Sequence, residues 1–403
     1  MTYISKSEAS NYNMVELTRV LHPVGQGGFY TETLKNAQGK EFNVVYDCGG
    51  NGQRFMANYL RKCFPQSKTI DLAFISHFHY DHINGLISLL KNNNVRHLII
   101  PQLTPDVFLE SVLYNSFNYG SYNNNINGFL HDIYGQENYG TTPITQIIPN
   151  TDDNRVIVEE FPFRETDNLS DIPFITSYNG KRREIIKEMP SGTVFSVGKW
   201  LYIPFNPSVP KNHPLQEGFY DYLKNKLNGG NDFDVLSDLG IIIQKNLKKC
   251  AKLYKEFFKS GNNHNAYSMA LFSGMRNPQH HCYMINNVCD CRCCGNRECL
   301  RNPDFLYTGD FEPGNNVHMM KHFYGSLYDT VKAIQVPHHG SCNNFSPDLY
   351  AGKCVGYISA GENNRFNHPD KETLLNILAC GCVPVVVSDN DSTIVINKYE
   401  IDI

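Results

Sequence analysis

Ser76-His77-Phe78-His79-Tyr80-Asp81-His82 is the stretch on which the reading of this chain turns. It contains H-x-H-x-D-H, three imidazoles and one carboxylate within six residues. Upstream, Leu72–Ser76 is a short apolar run that reads as a strand; downstream, His82–Lys91 reads as a helix. The motif therefore falls on a strand–loop–helix junction, a setting that a chance cluster of polar surface residues would not require. In an extended loop alternate side chains share a face, so His77 and His79 point together, while Asp81 and His82 turn with the helix toward a second direction. Such spacing suits two metal ions a few ångströms apart, and mixed imidazole and carboxylate ligation favours Zn, with Mn or Fe as alternatives.

Outward from the motif the pattern is α/β. Glu16–Leu21, Gly28–Leu34 and Phe42–Tyr46 read as strands, punctuated by Gly25-Gln26-Gly27-Gly28 and by residues 36–40. Residues 53–63 suit a helix, and Val95–Ile100 is a further strand closed by Pro101. The pattern then loosens, and the Asn-, Tyr- and Gly-rich residues 115–140 read as irregular loop. Val194–Phe205 reads as a strand pair turning at Gly198-Lys199, and Lys245–Lys259 as an amphipathic helix with Leu247, Ala251, Tyr254 and Phe258 on one side. Strands return at Ala266–Ser273, Asp304–Thr308, Ala333–Val336, Val355–Ser359 and Val383–Val387. The expected organisation is one α/β domain in two halves, residues 1–100 and 261–403. They are separated by a partly irregular insertion at 101–260, and a small Cys-rich insertion lies at 275–303.

The chain has 403 residues, 41% hydrophobic and 19% charged, a globular rather than a disordered composition. A net charge of −4 excludes a broadly basic nucleic-acid coat but not a local basic groove. There is no apolar run long enough to span a membrane and no signal-peptide pattern, so the expectation is a cytoplasmic protein without membrane contact.

The motif resembles that of the metallo-β-lactamase superfamily, and other landmarks occur in that family's order. Asp47 ends the run Val44-Val45-Tyr46-Asp47, Thr308-Gly309-Asp310 follows Asp304–Tyr307, and Val336-Pro337-His338-His339-Gly340-Ser341 comes later. The resemblance implies a four-layer αββα sandwich and a hydrolase using two divalent ions. It implies that His77, His79 and His264 hold the first ion, that Asp81, His82 and His339 hold the second, and that Asp310 bridges them. His264 fits the family's H-x-x-x-S spacing, and His339 is preferred to His338 because it directly precedes glycine. Asp47 is implied to orient the metal loop rather than to bind metal. The nucleophile would be a hydroxide between the ions, formed because bound metal acidifies water.

Val24-Gly25-Gln26-Gly27, the VPHHGS run and Ser359–Pro369 resemble, more narrowly, the hydrolase domain of bacterial competence (DNA-uptake) proteins, although Gly28 stands where an Asp is usual and the channel-forming segments are absent. This implies phosphodiester chemistry on a nucleic acid or nucleotide. His368 would donate a proton to the leaving oxygen or bind phosphate, unless it is a structural, hydrogen-bonded residue; Asn363, Asn364 and Arg365 are further phosphate-binding candidates. Hydrolysis of a lactam, lactone or thioester is the alternative within hydrolases. A partner-binding subunit of a multi-protein system such as antiviral defence, docking through residues 101–260, is the alternative outside them.

Six of the 13 cysteines fall within residues 282–299, beside His280 and His281. In a chain expected to stay in a reducing compartment, this reads either as a structural Zn site, with Cys289, Cys291, Cys294 and Cys299 as its ligands, ordering a loop too short and polar for its own core, or as free or redox-active thiols, with disulfides the least favoured. Cys48, Cys63, Cys250, Cys342, Cys354, Cys380 and Cys382 read as small core residues. The lysines of 245–259 either line a phosphate path or solvate a helical face.

Overall fold

The computed structural model describes residues 14–64, 68–119, 125–134, 142–149, 158–160, 186–207, 218–227, 239–258, 265, 267–275, 283–287, 302–314 and 316–402. Strand alternation sets its layers. In Glu41–Cys48, Val44 and Tyr46 enter one core and Val45 another. In Trp200–Phe205, Trp200 and Tyr202 enter that same shared core, while Leu201 and Ile203 enter a third. Because successive side chains of a strand point to opposite faces, both sheets must be covered on both sides.

The first sheet has nine strands, in the order Ile186–Pro190, Ile144–Ile148, Leu98–Pro101, Leu72–Phe74, Glu41–Cys48, Phe29–Asn36, Met14–Leu21, Val395–Asp402 and Tyr283–Asn287. The second has eight, in the order Val383–Val387, Val355–Ser359, Ala333–Gln335, Phe305–Tyr307, Ala270–Met275, Trp200–Phe205, Val194–Val197 and Val158–Glu160. Their facing sides meet through aromatic contacts such as Tyr46 on Tyr307, ring centroids 4.8 Å apart, and Phe74 against Phe195 at 5.6 Å. A buried ion pair bridges the same layer. Arg19 Nε donates to Glu32 at 2.7 Å, and Tyr202, Ser273 and Tyr307 donate their hydroxyls to that carboxylate. Outside the first sheet lie Met56 and Leu60 of helix Gln53–Cys63, Leu86 and Leu89 of Leu86–Asn92, and Phe108 and Val112 of Pro105–Tyr119. Outside the second lie Val317 and Met320 of Asn316–Tyr324 and Ile377 of Lys371–Ala379. The layers are helix, sheet, sheet, helix: the αββα sandwich.

Residues 101–260, expected as an insertion, are in part framework. Ile144–Ile148 and Ile186–Pro190 extend the first sheet, and Val158–Glu160, Val194–Val197 and Trp200–Phe205 build the second. The expected irregular loop at 115–140 also differs. Helix Pro105–Tyr119 runs into it, and Asn125–Tyr134 forms a second helix. The asparagines and glycines of that stretch mask an apolar face of Phe129, Leu130 and Ile133, all buried. The single helix expected at His82–Lys91 is two, Tyr80–Ile83 and Leu86–Asn92, divided where Gly85 N bonds to Cys48 O. Helix Leu239–Phe258 covers residues 245–258 of the expected amphipathic run, with Leu253, Tyr254 and Phe258 buried and Lys248, Lys249, Lys252 and Lys255 exposed; Lys259 lies outside the described residues.

Among the seven cysteines read as core, Cys342 is exposed, so that reading does not hold for it; Cys354 packs against the shared core and is disulfide-bonded. Cys289, Cys291, Cys294 and Cys299 lie outside the described residues, as does His264. Among the described residues no helix is long and apolar enough to cross a membrane.

Candidate metal centre

Four strands end at one place. Leu72–Phe74 runs into the His77–His82 loop, Phe305–Tyr307 into Thr308-Gly309-Asp310, and Ala333–Gln335 into Val336-Pro337-His338-His339. The fourth, Val355–Ser359, offers the Ser359 carbonyl to His339 Nδ1 at 2.8 Å. Gln335 locks two of these ends together: its Oε1 accepts from the Thr308 and Gly309 amides, both at 3.0 Å. Gly309 turns the chain at φ 54, where a Cβ would stand 2.4 Å from Ser76 Cβ; a side chain there would separate the two loops. His338 and His339 both adopt left-handed backbone, φ 48 and 55, a conformation costing about 1–3 kcal/mol per residue and held by the surrounding contacts.

The imidazoles are oriented from behind. Asp47 accepts from Ser76 N at 2.7 Å, Ser76 Oγ at 2.8 Å and His82 Nδ1 at 2.8 Å. With its own proton given to Asp47, Ser76 Oγ accepts from His77 Nδ1 at 2.9 Å. His77, His82 and His339 thus carry their protons on Nδ1 and turn Nε2 inward. Asp47 stands behind the loop, not in it.

Two groups result: His77, His79 and Asp310, and Asp81, His82 and His339, the ligand atoms of each lying within 4.8 Å of one another. Asp310 reaches both groups, with Oδ2 3.5 Å from His77 Nε2 and Oδ1 3.1 Å from His82 Nε2 and 3.7 Å from His339 Nε2. His339 Nε2 is also 3.5 Å from Asp81 Oδ2. His338 stands at the edge, its Nδ1 bonded to Asn344 and its Nε2 3.8 Å from Asp310 Oδ2.

The residues present fit divalent ions. Nε2 of His77, His82 and His339 and Oδ1 of Asp310 are buried without a hydrogen-bond partner, a loss of about 1–3 kcal/mol each unless a ligand compensates. Charge follows the same logic. Burial opposes ionisation of Asp310, yet His338, His82, His77 and His339 hold its carboxyl well below the usual range. Burial likewise opposes ionisation of Asp81, which the close approach of His339 and the charges of His82 and His339 hold low. Burial pushes His77 down to about 3, leaving it a neutral, ligating imidazole. Burial also works against protonated His82, but Asp310 and Asp47 hold it well above its ordinary value, the excess of negative charge that a bound cation would relieve.

One grip on the loop was not legible in the motif. Helix Pro105–Tyr119 encloses His79: Tyr114 stacks on its ring, centroids 3.7 Å apart, and Glu110 Oε1 lies 3.4 Å from its Nε2. Asn115 bonds both flanks, Oδ1 accepting from Tyr80 N at 2.8 Å and Nδ2 donating to Phe78 O at 3.0 Å. Glu110, Tyr114 and Asn115 follow helical i, i+4, i+5 spacing, and that was the signal available to find them.

His368 lies beside the centre, its ring 5.9 Å from that of His338. Burial, with His339 and His338 adding to it, holds His368 down at about 4, a neutral imidazole at pH 7. Its backbone is fixed by Asn364, whose side chain bonds both His368 N and His368 O. Arg365 does not reach the centre; its guanidinium lies over the rings of Tyr119 and Phe366. Asn265, next in sequence to His264, donates to Asp310 Oδ2 at 3.2 Å.

Fold and site together define an αββα protein with a His/Asp centre at its strand ends. Residues 37–168 match the model of the metallo-beta-lactamase superfamily. That match spans about a third of the chain and includes the His77–His82 loop. No curated protein matches it. Among solved structures it is similar to a long form RNase Z from yeast at 10% identity and TM-score 0.31, covering 93% of this chain and 36% of that one. It is also similar to the metallo-beta-lactamase SMB-1 bound to 2-mercaptoethanesulfonate, at 10% identity, TM-score 0.29 and 90% of each chain.

Proposed function

We propose that this protein is a hydrolase that cleaves phosphodiester bonds in a nucleic acid or nucleotide, with divalent ions held by His77, His79 and Asp310 and by Asp81, His82 and His339. His264 would complete the first group. The observation that carries the reading is a surplus of anion-friendly groups at the edge of the centre. His338 and His368 stand beside the two groups without being needed by either, and Arg365 and the 41%-exposed Phe366 ring lie on the same loop as His368. A lactam or thioester gives such a rim little to bind; an anionic phosphoryl group gives each imidazole an oxygen.

Bound ions would supply Lewis-acid charge to a phosphoryl oxygen and acidify a water molecule. The chain's own residues do the rest. Asp47 and Ser359 keep Nδ1 of His82 and His339 protonated, so that their Nε2 lone pairs stay directed at the centre. Asp310 spans both groups with one oxygen toward each. His368, neutral and fixed by Asn364, offers an N–H to an incoming oxygen, and an anion bound beside it would raise its proton affinity toward that of a general acid.

The test is a panel of single-stranded DNA, duplex DNA, RNA and cyclic dinucleotides with Zn or Mn, run on the wild type and Asp81→Ala. Cleavage of at least one phosphodiester, lost in Asp81→Ala, is expected. Activity on lactams or thioesters with none on any phosphodiester would overturn the assignment.

A further inference from the structure

Glu110 is a carboxylate with no exposure to solvent, on a helix whose neighbouring positions Val107, Phe108, Leu109 and Val112 are core. A buried carboxylate on an apolar helix costs several kcal/mol unless its oxygens are bonded. Here they are. Tyr254 OH donates to Oε1 at 2.7 Å, Tyr267 OH donates to Oε2, and Ser111 Oγ lies 3.5 Å from Oε2. Tyr254 comes from helix Leu239–Phe258, and Tyr267 from the turn before strand Ala270–Met275. Two segments distant in sequence therefore converge on one anion, which has a further neighbour, His79 Nε2 at 3.4 Å.

We infer that Glu110 is a positioning residue for the metal centre: it takes the Nε2 proton of His79 and so leaves Nδ1 as that residue's metal-facing atom. His79 differs in this from the other three imidazoles. His77, His82 and His339 are each held through Nδ1, by Ser76, Asp47 and Ser359. Both tyrosines are held far above their ordinary pKa, by burial first and then by the Glu110 charge, and remain O–H donors. With a tyrosine O–H donating to each of its oxygens, the carboxylate is held facing His79 and accepts from it. Tyr114 stacked on the ring and Asn115 bonding the backbone on either side fix the remaining degrees of freedom. A ligand imidazole whose second nitrogen bonds a carboxylate is more basic and better oriented, and losing such a partner typically weakens metal binding 10–100-fold.

The inference rests on His79 being a ligand, so the experiment separates the two. Zinc affinities are measured on the full-length chain by chelator competition for the wild type, Glu110→Gln and His79→Ala. The expected result is a fall of about tenfold in one affinity for Glu110→Gln, with the other affinity kept, and a larger loss of the same affinity in His79→Ala. Unchanged affinities in Glu110→Gln beside a loss in His79→Ala would overturn the role of Glu110 and leave the ligand intact. Unchanged affinities in both would remove the ligand as well. A second measurement needs no variant: ¹⁵N spectra of the histidine-labelled zinc-loaded wild type should contain an imidazole protonated at Nε2, assignable to His79. Protonation of His79 at Nδ1 would refute the inference.

Discussion

Asp47→Asn tests the orienting layer with little change of shape. Asp47 is fully buried and accepts three hydrogen bonds, from Ser76 N, Ser76 Oγ and His82 Nδ1, at 2.7, 2.8 and 2.8 Å. An asparagine keeps one acceptor oxygen and places an amide NH₂ where the other stood. If the oxygen stays on Ser76 N, the NH₂ meets two former donors, Ser76 Oγ and His82 Nδ1. Serine can rotate its proton away. His82 can only move its proton to Nε2, the atom that should hold metal. Hydrogen bonds to a charged group contribute about 1.5–3 kcal/mol each, and losing the one to His82 corresponds to roughly 10–100-fold in affinity. The assay is zinc competition together with thermal unfolding. One affinity should drop by that factor and Tm should fall both with and without metal. Affinities within twofold of wild type would refute the idea that Asp47 sets the tautomer of His82.

Other perturbations follow from the same geometry. A Cβ on Gly28 would stand 2.9 Å from Asp47 Oδ2 and 3.0 Å from His82 Nδ1, so Gly28→Ala should weaken zinc binding and cost about 1–3 kcal/mol by overpacking, read by urea unfolding. Arg19→Met strands the Glu32 carboxylate between the sheets, where the ion pair is 2.7 Å long, and should cost about 3–5 kcal/mol, with no direct effect on the metal centre in competition assays. Burial holds His22 down at about 3 and His97 at about 4. Both are neutral in the fold while the unfolded chain takes up protons below about pH 6.5, so their contribution is present above that pH and lost as pH falls toward 4. Unfolding free energy should fall by up to about 1.4 kcal/mol per pH unit per histidine in that window, and His22→Gln should flatten the slope measured by urea titration at stepped pH.

The legible part of the chain is the part where chemistry is dense in sequence. His77, His79, Asp81 and His82 lie in one loop, and Asp310 and His339 each follow a short apolar strand; the structure brings all six to one place. What was not legible depends on distance in sequence. Glu110 reads as an ordinary helical acid until Tyr254 and Tyr267 arrive from far along the chain. Strands Val158–Glu160 and Ile186–Pro190 are too short to show a period, and their assignment needs the sheet they join. Phe129, Leu130 and Ile133 carry a core-facing side that polar neighbours conceal. Composition misled there because burial is a property of one face, not of a window average.

Anomalous diffraction at the zinc edge, on crystals of the zinc-loaded chain, reaches the central claim most directly. Two peaks should appear, one bounded by His77, His79 and Asp310 and the other by Asp81, His82 and His339, with Asp310 within bonding distance of both. A zinc-loaded crystal with no peak among these six side chains would contradict the account.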